Sequence, residues 1–282
     1  MNTKPFHTIG VGVTFSPNLK ANIFEAARLS LFFECTLILI HVGDYSKDKE
    51  EAFNSIINQF IDQGLKHELV FQTGDPVEVI LSVCDNKSID LLILGALKRE
   101  SFFKYYVGSI ARQITRQAKC SVLLLINPSI DRIPCQHIVV SGLDDPKTTQ
   151  VISTACYVGS RLNASLMTIV EEISKQEVNI RVDDDKSLRQ TNIEKKRIRL
   201  REASRVKKIV DEIDDDFKTD MKIKSQPIFG HRGYSIGHYA QVARADLLVM
   251  KAQGKLSFWD RLFPHDIEHI LTELPTDVLI VQ

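Results

Sequence analysis

The chain has 282 residues, with 36 basic and 36 acidic side chains and 44% hydrophobic residues. This balance excludes a disordered chain, which needs low hydrophobicity and high net charge. It also excludes a protein that coats nucleic acid by bulk charge, because that requires a surplus of Lys and Arg.

The first half alternates short apolar runs with amphipathic stretches. Thr8–Val13 reads as a strand, and Ser16-Pro17-Asn18 as a turn that starts a helix. Ile23, Ala26, Ala27 and Leu29 then fall at helical spacing over residues 21–33. Thr36–Val42 (TLILIHV) is a continuous apolar run, as expected of a strand covered on both faces. A second helix is predicted over Lys49–Gly64, a strand over Glu68–Gln72 and a third helix over Val77–Cys84 after Gly74-Asp75-Pro76. Asp90–Leu94 is the fourth strand, Gly108–Gln117 the fourth helix and Ser121–Ile126 the fifth strand.

The second half repeats this order. Asp90-Leu91-Leu92-Ile93-Leu94 matches Asp246-Leu247-Leu248-Val249-Met250 at an offset of 156, and Val122-Leu123 matches Val278-Leu279 at the same offset. Near the start of each half the offset is 129, as for Pro17 and Pro146, so the second half carries an insertion of 27 residues. The insertion falls within about residues 171–222, where the charge runs Lys195-Lys196-Arg197 and Asp214-Asp215-Asp216 lie. Such a segment is expected to form a long, solvated helix over Lys186–Ile213. The other predicted elements are strands at Ile138–Ser141, Ser165–Val170, Met221–Ile228, Asp246–Met250 and Val278–Val281, and helices at Thr149–Leu162, Ile236–Val242 and Asp266–Leu274.

Strands alternating with helices imply parallel βαβ units with right-handed crossovers. The fold class is therefore α/β, as two tandem doubly wound parallel-sheet domains of Rossmann-like type, each β-α-β-α-β-α-β-α-β. The domains are placed at residues 1–127 and 134–282, divided where Asn127-Pro128-Ser129 and Pro134 punctuate the chain. The longest apolar runs are far below the ~20 residues that span a bilayer, and the N-terminus lacks a signal-peptide pattern. A cytoplasmic protein is expected, with its five cysteines reduced and mostly in the core.

In doubly wound sheets ligands sit beyond the carboxyl ends of the strands. The loop after the fourth strand suits an anion there. Gly95 lets the backbone leave the strand, Gly108 and Ser109 open a helix whose free amides favour phosphate, and Lys98, Arg99 and Lys104 add positive charge. A plain connection capped by a serine is the alternative reading of the same residues.

Gly95, Lys98, Gly108 and Ser109 stand at the spacings Gly, two residues, Gly, nine residues, Gly, then Ser or Thr. With Thr14-Phe15-Ser16-Pro17, Gly74-Asp75-Pro76 and Ala118–Val122, they make the chain resemble the universal stress protein family in its tandem, two-repeat type. The resemblance covers both halves apart from the charged insertion. It implies a non-enzymatic stress-response module holding ATP or AMP in the N-terminal half. The cofactor-binding residues would be Thr14, Val42, Gly95, Lys98, Gly108 and Ser109, with the Val42 backbone facing adenine. It also implies that the two domains pair through their last strands, and that a homodimer is a possible further assembly. Two residues depart from the family pattern: Lys98 replaces a glycine, and Thr14 stands where nucleotide-binding members carry Asp. In the second half Gly254 survives, but Pro264-His265 replaces the Gly-Ser pair, and Asp144 lies one position from the family's Asp. That half is read as degenerate.

Two other classes of function compete with this one. Lys98, Thr14 and Pro264 favour a protein-interaction scaffold that needs no nucleotide. His265-Asp266-Ile267-Glu268-His269 fits the H-x-x-E-H pattern of some zinc peptidases, so a slow ATPase or metal-dependent hydrolase is the third. No third ligand accompanies His265 and His269, and no catalytic residue, metal, nucleic acid or membrane is expected. Phe102, Phe103, Tyr105 and Tyr106, with their repeat partners Phe258, Trp259 and Phe263, read as core packing or a lid over the cleft, a membrane or partner patch being the alternative.

Overall fold

The computed structural model describes residues 4–98, 105–174, 177, 183–218, 220–231, 234–252 and 270–282. The first half runs β1 (Thr8–Gly12), α1 (Leu19–Phe32), β2 (Thr36–Val42), α2 (Lys47–Ile61), β3 (His67–Gln72), α3 (Pro76–Asn86) and β4 (Leu91–Gly95). A short ladder follows, β5 (Leu97–Lys98) against β6 (Tyr105–Tyr106), then α4 (Ser109–Gln117) and β7 (Ser121–Leu125). The second half has β8 (His137–Ser141), α5 (Thr148–Leu162), β9 (Leu166–Ser174), α6 (Asp185–Asp211), β10 (Lys222–Gly230), α7 (Tyr234–Val242), β11 (Leu247–Lys251) and β12 (Asp277–Val281).

Ten strands form one sheet in the order β10-β9-β8-β11-β12-β7-β4-β1-β2-β3. Within this sheet all pairs inside each half are parallel, so each half is a doubly wound α/β unit with the same strand order. The halves join where β7 and β12 run antiparallel, with Leu123 opposite Leu279. These are the two last strands that the sequence pointed to. The strands are buried on both faces. Leu37, Leu39, Leu92, Val122, Val139 and Val249 are all inaccessible to solvent, because helices cover each side.

Local chemistry sets the element ends. Asp75 begins α3 by accepting from the amides of Val77 (2.9 Å) and Glu78 (3.2 Å), with Pro76 in the first turn. Ser46 begins α2 by accepting from Lys49 N. Asn163 ends α5 in the left-handed conformation at φ 58°. Repeated Asp90 and Asp246 do the same work in each half. Asp90 accepts from the amides of His7 and Thr8, and Asp246 from those of Gln136 and His137, so each carboxylate ties down the start of the neighbouring strand.

The structure corrects two expectations about the insertion. The strand expected to end at Val170 continues to Ser174 as β9, pairing with β10 through Ser174 and Gly230. Glu171 and Glu172 lie inside it and are buried, at 2% and 7% exposure. Their charge made the segment read as surface. Glu171 accepts from Ser225 Oγ at 2.7 Å through one carboxylate oxygen, its other oxygen having no partner among the described residues, and Glu172 accepts from Ile236 N at 2.8 Å, so hydrogen bonds offset part of the cost of burial. The long charged helix is also not fully solvated, since α6 buries Thr191, Ile198, Glu202 and Val206. Its start is fixed by a capping box between Asp184 and Ser187. The cysteines are free, and Cys35, Cys84, Cys120 and Cys156 are buried. Among the described residues no helix is long and apolar enough to cross a membrane.

Candidate functional site

The carboxyl edge of the first-half strands collects most of the predicted residues. Gly12 lies beside Ile40 in the β1–β2 ladder, and Val13 N donates to Ile40 O at 2.9 Å. Thr14 therefore leaves the sheet next to the end of β2, where Val42 is the last strand residue and pairs with Gln72. Thr14 is exposed and Val42 half-buried. Gly95 ends β4, which lies on the other side of β1. A Cβ at Gly95 would sit 3.4 Å from the Asn22 side chain.

Gly108 caps α4 in an extended conformation and Ser109 is its first residue, exposed to solvent. Gly108 has no side chain to cap this helix, and among the described residues no other side chain is bonded to its first amides, which suit an anion. The two ends of the loop meet through Leu97. The chain pairs Leu97–Lys98 with Tyr105–Tyr106, and a Cβ at Gly108 would lie 2.9 Å from Leu97 Cδ1. The Lys98 backbone belongs to β5, while its side chain lies outside the described residues, as do Arg99 and Lys104. The loop after β4, read as irregular, thus has a two-rung ladder at its base. That base packs on the second half, since Leu274 N donates to Tyr105 O and Val107 N to Leu271 O. Tyr105 and Tyr106 are half-buried there, which agrees with a packing role. Phe102, Phe103, Phe258, Trp259 and Phe263 lie outside the described residues.

Two features of this edge were not read from the sequence. Asn22, on α1, has a buried side-chain oxygen with no hydrogen-bond partner among the described residues, and it lies against Gly95. An unmet buried acceptor is costly unless a donor reaches it. As one polar residue in a surface-like stretch, Asn22 gave no signal. The second feature is an aromatic cluster. Phe15 is 55% exposed and stacks on Phe53 at 5.1 Å, with His41 edge-on to Phe15 at 5.7 Å. Phe71 and Tyr45 continue it, with centroids 5.4 Å apart. These rings come from three elements and two loops, so only the fold assembles them.

The corresponding edge of the second half is built differently. Gly142 N donates to Val170 O as Val13 N does to Ile40 O, so Leu143 is the counterpart of Thr14. Leu143 is buried, and no register shift brings Asp144 into its place. Asp144 is exposed beside Arg205, and Asp145 is paired with Lys251. Glu171 and Glu172 stand where the first half has His41 and Val42. Burial pushes the Glu171 carboxyl above its ordinary pKa, against the hydrogen bond from Ser225 and the attraction of Arg205. From α6, Arg205 donates to Gly142 O and pairs with Glu202 at 3.0 Å, which Arg201 also meets at 2.8 Å. Gly254, Pro264, His265, Glu268 and His269 lie outside the described residues. Among the described residues no group of three His, Cys, Asp or Glu is placed to hold a metal.

The loop between Gly95 and Ser109 sits inside a stretch that is similar to known proteins. Residues 46–125 match the universal stress protein family. Over 89 residues the chain is 25% identical to universal stress protein Sll1388 of Synechocystis sp., a stretch that is 32% of this chain and 58% of that protein. A universal stress protein of known structure from Archaeoglobus fulgidus is 14% identical, with a TM-score of 0.67 covering 98% of each chain. A functionally unknown protein from Pseudomonas aeruginosa, also 14% identical, has a TM-score of 0.69 and covers 99% of this chain and 93% of its own. At these identities the structural likeness establishes the fold, through both halves. The universal stress protein match includes Gly95, Lys98, Gly108 and Ser109, and leaves out Thr14 and Val42.

Proposed function

We propose that the chain is a tandem universal stress protein that works as a non-enzymatic, cytoplasmic stress-response binding module. Its first half, residues 1–127, holds ATP or AMP, and its second half, residues 134–282, has a degenerate site. The observation that carries this reading is the uncapped start of α4 at Gly108–Ser109, at the carboxyl edge of a doubly wound sheet. Phosphates would take the amides after Gly108, the Ser109 hydroxyl and Lys98. The base would lie along the Val42 backbone beside the exposed Phe15 ring, with Thr14 and the unmet Asn22 oxygen toward the sugar.

The second half argues against a second nucleotide. Asp144, Glu171, Glu172, Glu177 and Glu202 line its cleft together with Arg201 and Arg205, an acidic surplus that repels phosphate. Arg205 already occupies the Gly142 carbonyl. A nucleotide held only by backbone amides, Ser109 and Lys98 would be bound and not turned over.

The test is native mass spectrometry and equilibrium dialysis of the purified chain with ATP and AMP. One nucleotide per chain is expected, lost in Gly108→Leu and retained in Arg205→Ala. Two per chain would overturn the assignment of the second half. No binding by the folded wild-type chain would overturn the nucleotide reading and favour the scaffold.

A further inference from the structure

The antiparallel seam between β7 and β12 leaves a gap between α1 and α5 on one face of the sheet. The connection between the halves, residues 126–136, crosses that gap as a roof. It is held at both ends and in the middle. Ile126 N donates to Asp277 Oδ1 at 2.8 Å, and the amides of Gln136 and His137 donate to Asp246. Between them, the Arg28 guanidinium donates to the carbonyls of Ser129 and Ile130 and pairs with Glu25 at 2.9 Å. Arg132 lies over the Phe32 ring at 4.8 Å.

Beneath the roof is a cavity of about 270 Å³. It is partly open to solvent, so a small molecule can reach it. Its walls are mainly apolar and come from both halves, with Leu29 and Phe33 on one side, Val158 and Leu162 on the other, and Leu123 and Leu279 as the floor. Three carboxylates, Glu25, Asp246 and Asp277, also line it. Asp277 is at the seam, and the other two raise the cost of its charge. The two cations are already committed, Arg28 to Glu25 and the roof carbonyls and Arg132 to the Phe32 face. A ligand bringing its own positive charge to Asp277 would relieve this crowding, whereas a carboxylate head would add to it. An apolar cavity with one directing polar group is also the usual make-up of a small-molecule site.

We propose that the cavity under the 126–136 connection binds a small apolar amine, its hydrocarbon part between Leu29, Phe33, Val158 and Leu162 and its ammonium group on Asp277. The site is separate from the nucleotide edge. It draws its walls from both halves, so occupancy would couple to how firmly the halves are joined.

The experiment is isothermal titration of the full chain with n-octylamine, with n-octanoate and n-octanol as probes of the same length. Saturable binding of one octylamine per chain is expected, with octanoate at least about tenfold weaker. Leu162→Trp, which narrows the cavity where the hydrocarbon part would lie, should weaken it at least about tenfold. Asp277→Asn keeps an acceptor for Ile126 N, and should weaken octylamine by about tenfold while leaving octanol unchanged. If Leu162→Trp does not fold by circular dichroism, the Asp277→Asn comparison decides. The proposal is overturned if octylamine does not saturate, if octanoate binds as well as octylamine, or if Asp277→Asn binds octylamine as the wild type does.

Discussion

Asp277 makes a quantitative prediction about stability. Burial under the connecting segment raises its pKa from 3.8 to about 7, helped by Glu25 and Asp246 and opposed by the hydrogen bond from Ile126 N. The folded chain therefore holds this proton more tightly than the unfolded one. Stability from this group is complete below the unfolded value near 4, falls as pH rises, and levels off above about 7. The full shift corresponds to at most about 4 kcal/mol of destabilisation once the carboxyl is ionised in the fold. Asparagine has nearly the same shape, still accepts from Ile126 N and carries no charge. Asp277→Asn should thus be more stable than wild type at pH 8 by about 2–4 kcal/mol, with the advantage vanishing by pH 4. Urea denaturation followed by circular dichroism at unit steps from pH 4 to 8 reads both features. A variant less stable than wild type at pH 8, or one with an unchanged pH dependence, would refute the argument that desolvation dominates at this carboxyl.

Other consequences concern packing and caps. Tyr157 is 2% exposed and packs on Phe6, Phe33 and Phe217, so it joins α5 to the first half. Tyr157→Ala should cost about 3–5 kcal/mol in urea denaturation, as expected for a large core truncation. Asp75→Ala removes the acceptor for two amides of α3 and should cost about 1 kcal/mol by the same measurement. Arg205→Ala leaves Glu202, 7% exposed, with Arg201 as its remaining cationic partner here. It should cost about 2–4 kcal/mol and speed proteolytic cleavage within α6, read by limited trypsin digestion. Unchanged digestion would show that α6 is held by its apolar contacts alone.

Most secondary structure was legible in the sequence for one physical reason. Parallel strands covered on both faces read as unbroken apolar runs, and TLILIHV became β2 from Thr36 to Val42 without adjustment. The internal repeat was legible too, because Asp90 and Asp246 carry the same backbone hydrogen bonds in each half. The Gly95–Ser109 spacing was legible as a loop ending in a helix start, and the structure has it at the carboxyl edge of the sheet, between β4 and α4.

Only the tertiary structure decided the rest. Glu171 and Glu172 look like surface residues in one dimension, and become buried strand residues because Ser225 and Ile236 supply their hydrogen bonds. Asn22, Phe15, His41, Phe53 and Phe71 come from separated segments, so their shared edge exists only once α1, α2 and three strands are assembled. The cavity over the seam is of the same kind. Leu29 and Leu162 are ordinary helix residues in sequence, and they face each other only because β7 and β12 pair in opposite directions. Periodicity reports which face of each element is buried, whereas what that face meets is set by contacts far apart in the chain.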